Sequence, residues 1–166
     1  MAIREFTSFA EFATFLGALV LQERKAETRA LETVARLLQS RAKAKFGEYQ
    51  PEAGPYVSWA ELAESTKAER VRLGFPENEP LLRRGDLRDS IERQVELGET
   101  QVGSNDDIMV LQELGTARMP PRSVLGTTAV ENAEEVVRII GERVYLTLAG
   151  QGVFGGAVEI SAEGTG

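Results

Sequence analysis

Apolar residues recur at three- and four-residue steps from Phe12 to Phe46, and this spacing predicts one long amphipathic helix. Ser8 and Glu11 have the spacing of a capping box at its start. A helix of roughly 40 residues would be about 60 Å long at ~1.5 Å per residue, which exceeds the width of a small domain. The helix therefore either bends near Gly17 or projects one end as an arm that packs on another subunit.

Two more helices are predicted from capping-box spacing. Ser58 and Glu61 would open the first, in which Trp59, the single tryptophan, is interpreted as an anchor of the core or of an interface. Thr128 and Glu131 would open the last helix. An apolar stripe at helical steps then follows, and it is expected to face the core: Val130, Ala133, Val137, Ile140, Val144 and Leu148.

Between these helices the period of apolar residues drops to two. Alternation over 91–97, a turn at 98–100 and a returning strand at 101–104 predict a β-hairpin. Before the hairpin, Asp86 is expected to cap a short helical turn after Gly85. After it, Asp106 or Asp107 would start a short helix that carries Ile108, Leu111 and Leu114, and Gly115 would end it.

These elements predict the α+β class: a small antiparallel β-sheet packed with a long N-terminal helix and a C-terminal amphipathic helix. The chain has 166 residues, of which 42% are hydrophobic, and this supports one ordinary core. We expect a single domain over 1–149. Residues 150–166 are rich in glycine and are expected to form a flexible C-terminal tail.

Composition narrows the possible chemistry. The chain contains no cysteine and no histidine, which excludes disulfides, thiolate and histidine metal sites, and the usual nucleophile–histidine pairs. Its formal net charge is −7, so it lacks the electrostatics of a duplex-DNA binder. No stretch reaches the ~20 apolar residues of a membrane helix.

Two motifs could suggest a ligand. Asp106 and Asp107 are interpreted as a helix start rather than a cation site. The G-x-G-x-x-G spacing of 150–155 does not follow a predicted strand, as the dinucleotide-binding motif does. We therefore expect no metal and no cofactor.

The segment from Pro80 to Arg122 contains a series of short motifs. It begins with Pro80-Leu81-Leu82-Arg83-Arg84-Gly85-Asp86-Leu87, continues through the hairpin to Glu113-Leu114-Gly115-Thr116, and ends with Met119-Pro120-Pro121-Arg122. Trp59-Ala60-Glu61-Leu62 with Ser65-Thr66 precedes it. In this order, from Phe9 to Ala149, the sequence resembles the tail-component family of long-tailed bacteriophages, which are tail-completion or head–tail joining proteins.

The resemblance implies a structural, non-enzymatic virion protein of the tail or neck, present in the host cytoplasm during assembly. It implies a homo-oligomeric ring, a hexamer in the virion, with tail-tube, terminator and head-connector proteins as partners. No membrane and no sequence-specific nucleic acid are expected. The alternatives are a tail terminator or head-completion protein of the same neck and, more distantly, a small carboxylate-based enzyme.

Ten residues are candidates for the subunit interface. They belong to the two motifs that flank the hairpin: Arg83, Arg84, Asp86, Leu87, Gly115, Thr116, Met119, Pro120, Pro121 and Arg122. The Met-Pro-Pro-Arg segment has two interpretations. It is either a stiff connector between sheet and helix, or a rigid loop that presents Met119 and Arg122 to a neighbour at low entropic cost.

Overall fold

The computed structural model describes residues 7–148 of the chain. Within this range it contains helices and one two-stranded antiparallel sheet, which confirms the α+β class. The elements in chain order are α1 (Phe9–Ala44), α2 (Glu64–Arg72), α3 (Asp86–Asp89), β1 (Ile91–Glu96), β2 (Glu99–Ser104), α4 (Asp107–Leu114), α5 (Leu125–Glu131) and α6 (Ala133–Leu148). The predicted tail of 150–166 lies outside the described residues.

Helix α1 begins as the sequence predicts. The Ser8 hydroxyl accepts a hydrogen bond from the Glu11 backbone N–H at 3.2 Å, and the helix runs without a break through Gly17. At ~1.5 Å per residue, its 36 residues span about 54 Å. Its buried positions begin only at Ala30 and continue to Ala42. The first half of α1 therefore extends past the core instead of lying within it.

The core lies under the second half of α1. Its buried apolar cluster contains residues of α1, the hairpin, α4 and the loops: Ala42, Phe46, Trp59, Ile91, Met109 and Val124. The hairpin is tied to α1 by the Gln39 side-chain amide, which donates to the Ile91 carbonyl at 2.8 Å and accepts from the Arg93 guanidinium. The sheet thus packs directly on the long helix, as expected.

The hairpin pairs Ile91 with Ser104 and Glu96 with Glu99. This register leaves a two-residue turn at Leu97 and Gly98, so the predicted turn at 98–100 was placed too late. Gly98 has φ +78°, a left-handed conformation that glycine adopts without strain and that tight hairpin turns require.

The predicted helix start at Ser58 is wrong, because α2 begins six residues later, at Glu64. The intervening chain is extended and is used for tertiary hydrogen bonds. The Trp59 backbone N–H donates to the Gln50 carbonyl at 2.9 Å, and its indole N–H donates to the Ser123 carbonyl at 3.2 Å. Trp59 is buried in the core, which confirms its interpretation as an anchor.

The predicted last helix is divided in two at Asn132. Thr128 is not a cap: it is buried inside α5, where its hydroxyl donates to the Val124 carbonyl at 2.7 Å. The Lys45 ammonium at the end of α1 pairs with the Glu131 carboxylate at 2.7 Å, and α6 then runs back along α1. No helix within residues 7–148 is long and apolar enough to cross a membrane.

The apolar stripe of α6 does not lie in the core as expected. Val137, Ile140, Val144 and the neighbouring Tyr145 are exposed, as are large apolar residues of the first half of α1. We call residues 9–29 of α1 together with α6 the arm. Eight large side chains of the arm are exposed by more than a third of their surface: Phe9, Leu16, Val20, Leu21, Val137, Ile140, Val144 and Tyr145.

Candidate functional site

An open cleft of about 880 Å³ lies between α2, the segment that leads into α3, helix α4 and the loop that follows α4. The motifs on either side of the hairpin meet there. Seven of the ten candidate interface residues line it: Arg83, Arg84, Asp86, Leu87, Met119, Pro120 and Arg122. Gly115, Thr116 and Pro121 belong to the same loop but do not line the cleft. We call this site the arginine cleft, because Arg70 and Arg118 also line it.

The loop after α4 is held in one shape by its own backbone. Gly115 ends the helix, as predicted, with φ +71°. Thr116 and Met119 then form a tight turn, in which the Thr116 N–H donates to the Met119 carbonyl at 2.8 Å and the Met119 N–H donates back at 3.2 Å. The Arg122 N–H returns to the Gln112 carbonyl at 2.6 Å. The loop is therefore a stiff connector, as in the first of the two interpretations.

Arg122 does not extend from this loop toward a neighbour, so that part of the prediction is wrong. Its side chain is only 5% exposed. One terminal nitrogen of its guanidinium donates to the carbonyls of Ala60 and Glu61, at 2.9 and 3.2 Å. Arg122 thus connects the extended segment before α2 with the loop after α4. Its Nε is buried without a hydrogen-bond partner among the described residues.

Arg70 plays the same part for the segments that follow α2, and no feature of the sequence indicated this role. It is 4% exposed, and its guanidinium donates to the carbonyls of Pro76 and Leu82 at 2.7 and 2.6 Å. Helix α2 is mostly polar, so no apolar period marks Arg70 as a buried position. Only the tertiary contacts of the two loops identify it.

The two buried arginines have backbone carbonyls as partners and no carboxylate within ion-pair distance among the described residues. Burial lowers the pKa of the Arg122 guanidinium, which the nearby Tyr49 opposes. An arginine nevertheless stays charged at any working pH. The cleft therefore contains two positive charges that are removed from water without an anion to balance them, which is an unfavourable arrangement.

Three further arginines lie at the rim. Arg83 lies over the Phe75 ring at 5.7 Å and pairs loosely with Glu69 at 3.8 Å. Arg84 and Arg118 are exposed and form no ion pair within residues 7–148. Three carboxylates also line the cleft, those of Glu61, Asp86 and Asp106. Glu61 already pairs with Lys67, and Asp106 caps α4, so the cleft is basic in a chain whose net charge is −7.

Asp86 itself is not the cap that the sequence suggested. The N-cap of α3 is Gly85, with φ +95°, and Asp86 is the first helical residue with its carboxylate toward the cleft. Helix α4 does begin at the Asp106 cap, whose carboxylate accepts from the Ile108 N–H at 2.9 Å. Its buried apolar residue is Met109, whereas Ile108, Leu111 and Leu114 are exposed.

Glu113 connects the Glu-Leu-Gly-Thr motif to the last helices. One carboxylate oxygen accepts from the backbone N–H groups of Val124 and Leu125 at 2.7 and 2.5 Å. The other accepts from the Ser123 hydroxyl at 2.6 Å and from the Gly126 N–H at 3.4 Å. A carboxylate from α4 thus caps the first turn of α5, where free N–H groups and the helix dipole favour negative charge. The motif has a structural role that its sequence alone did not reveal.

The arginine cleft is equipped for binding: guanidinium groups supply charge and directed donors, and leucine, phenylalanine, isoleucine and methionine side chains supply apolar walls. Among residues 7–148, no three aspartate or glutamate side chains lie together as a metal site would need. Comparison of the chain with protein-family models, curated proteins and solved structures gives no match. The arm and the arginine cleft are therefore the features of this chain that bear on its function.

Proposed function

We propose that this chain is a structural subunit of a long-tailed bacteriophage particle, in which copies assemble into a ring that completes the tail or joins it to the head. The ordered motifs from Pro80 to Arg122, which resemble those of tail-completion proteins, support this function. The observation that carries the proposal is the arm with its exposed apolar side chains.

The arm is the feature least compatible with a solitary subunit. Its exposed apolar side chains come from both of its helices, and large exposed apolar surfaces of soluble proteins commonly mark sites of association. Each side chain of this size contributes about 1.5–3 kcal/mol when it is transferred from water to an apolar surface. Packing the arm against a neighbouring copy would therefore provide a substantial driving force for assembly.

Ring formation requires that each copy use two different surfaces, one toward each neighbour. The chain offers the arm at one end of α1 and the core body with its cleft at the other. Helix α1, which is about 54 Å long at ~1.5 Å per residue, runs from the arm into the body. Such an elongated subunit is suited to contact neighbours on both sides.

Deleting the gene in the phage or prophage that encodes the chain tests the proposed function. Particles produced without this protein are expected to accumulate as separate heads and tails in negative-stain images, and wild-type protein should restore joined particles. The variant Val20→Asp/Val137→Asp places two charges on the arm and is expected to reduce joined particles at least about 10-fold, because a buried charge without a partner costs several kcal/mol.

The matched control is Ser40→Asp, an exposed position of the same helix outside the arm. It should restore joining as well as wild type. At a concentration where every variant is monomeric, all variants should keep the wild-type melting temperature. Intact, infectious particles in the absence of the protein would refute the proposed function. A normal number of joined particles with the arm variant would exclude the arm as the assembly surface.

A further inference from the structure

The arginine cleft and the tip of the β-hairpin are complementary in charge and in apolar character. We propose that the cleft receives the hairpin tip, Glu96-Leu97-Gly98-Glu99, of the next copy of this chain. This inference rests on the proposed ring and adds to it the contact that would join the body of one subunit to its neighbour.

The two buried arginines of the cleft have no carboxylate partner among the described residues. Arg70 and Arg122 are buried with only backbone carbonyls as partners, and Arg84 and Arg118 are exposed without an ion pair among the described residues. Carboxylates are the groups that guanidinium pairs bind with the most favourable geometry. An incoming acidic segment would therefore balance charges that the isolated subunit leaves uncompensated.

The hairpin tip carries the matching groups. Glu96 and Glu99 are exposed, and each carboxylate accepts a hydrogen bond only from a neighbouring glutamine amide, at 2.6 Å, with no cation in reach within residues 7–148. Between them, Leu97 is 67% exposed. Its apolar side chain fits a cleft whose walls include Phe75, Ile108 and Met119. The apolar walls and the acidic chain also favour a protein segment over a nucleic-acid phosphate as the occupant.

A subunit cannot fill its own cleft with its own hairpin. The base of the hairpin, Ile91, directly follows α3, whose residues Asp86 and Leu87 line the cleft. A six-residue strand spans about 20 Å at ~3.3 Å per residue, so the tip lies at the far end, beside Glu27 of α1. A contact between unlike surfaces of successive copies is head-to-tail, which is the type of contact that generates rings.

Because the chain contains no cysteine, engineered thiols can test this contact directly. In the full chain, Leu97→Cys/Ile108→Cys places one thiol on the exposed tip and one on the exposed cleft wall of α4. Treatment with a short bismaleimide linker at a concentration where the wild type self-associates should give a ladder of linked dimers, trimers and larger species. Each single-cysteine variant should give at most dimers, and the control pair Leu97→Cys/Ser40→Cys should give no ladder.

Charge reversal makes the test specific. The ladder should fall at least 10-fold when Glu96→Arg/Glu99→Arg is added at the tip, or Arg84→Glu/Arg118→Glu at the cleft rim. A tip-reversed copy with Leu97→Cys, mixed with a rim-reversed copy with Ile108→Cys, should regain a linked heterodimer. A ladder that survives either reversal, or no ladder, overturns the proposal; so does a chain that stays monomeric at every concentration.

The proposed ring function and the proposed copy-to-copy contact can be refuted independently of each other. If no ladder forms but particles without the protein still separate into heads and tails, the ring function stands and the copy-to-copy contact is wrong. If, in that case, supplying the rim-reversed variant does not restore joined particles, the occupant of the cleft is an acidic segment of another virion protein. If the ladder forms but particles assemble normally without the chain, the contact stands and the proposed function is wrong.

Discussion

Replacing Glu113 with alanine is expected to lower the free energy of unfolding by about 3 kcal/mol, because it removes a charged cap and leaves donors of α5 without partners. The carboxylate accepts from three backbone N–H groups, of Val124, Leu125 and Gly126, and from the Ser123 hydroxyl. Two of these residues, Ser123 and Val124, are buried, so water cannot easily replace the lost partner.

Urea denaturation followed by circular dichroism measures this change, and Glu142→Ala is the matched control. Glu142 is exposed and, within residues 7–148, pairs only with Arg138, so its removal should cost less than about 0.5 kcal/mol. Glu113→Gln should give an intermediate loss, because its amide keeps one oxygen acceptor but turns an NH₂ group toward the remaining donors. A Glu113→Ala variant as stable as Glu142→Ala would mean that the cap does not stabilise α5.

Gly115→Ala is expected to destabilise the protein by about 2–4 kcal/mol, through backbone strain and steric conflict. Its φ of +71° disfavours any side chain, and an added Cβ would lie 2.8 Å from the Pro121 nitrogen and 2.9 Å from the Met119 oxygen. Both are backbone atoms of the closed loop, so neither can move without disturbing the turn at Thr116. We expect the variant to lose the shape of the cleft wall as well as stability.

Gly17→Ala is a control that is expected to change stability in the opposite direction. Gly17 lies within α1, and beyond the backbone of its own helix no described atom lies within 4 Å of an added Cβ. Alanine there should stabilise the helix by up to about 1 kcal/mol. Thermal unfolding of both variants distinguishes the two cases. Equal melting temperatures for Gly115→Ala and wild type would show that the loop relaxes around the new methyl group.

Features set by neighbouring residues were predicted well. The Ser8 cap, the Asp106 cap and the Gly115 stop each depend on a side chain or backbone conformation within one helical turn. The hairpin was recognised from its period of two, although its turn lies earlier than predicted. In each case the determining interaction is local, so the sequence contains it directly.

Features set by distant contacts were missed. The capping boxes at Ser58 and Thr128 have the correct spacing, but Trp59 is drawn into the core and Glu113 supplies the cap of α5 from another helix. Burial of Arg70 and Arg122 depends on carbonyls that only the folded loops bring near. The sequence singled out both motifs as interface candidates, but it did not indicate that they meet in one cleft or how deeply each side chain lies.

The uneven burial of α1 has a thermodynamic consequence. The core supports the helix only from Ala30 onward, and the preceding residues 9–29 have helix α6 as a packing partner in place of the core, so this part of α1 gains less free energy from burial. If copies associate through the arm, assembly contributes the missing free energy by mass action. The melting midpoint should then rise with protein concentration, and slowed amide hydrogen exchange over 9–29 would report ring closure residue by residue.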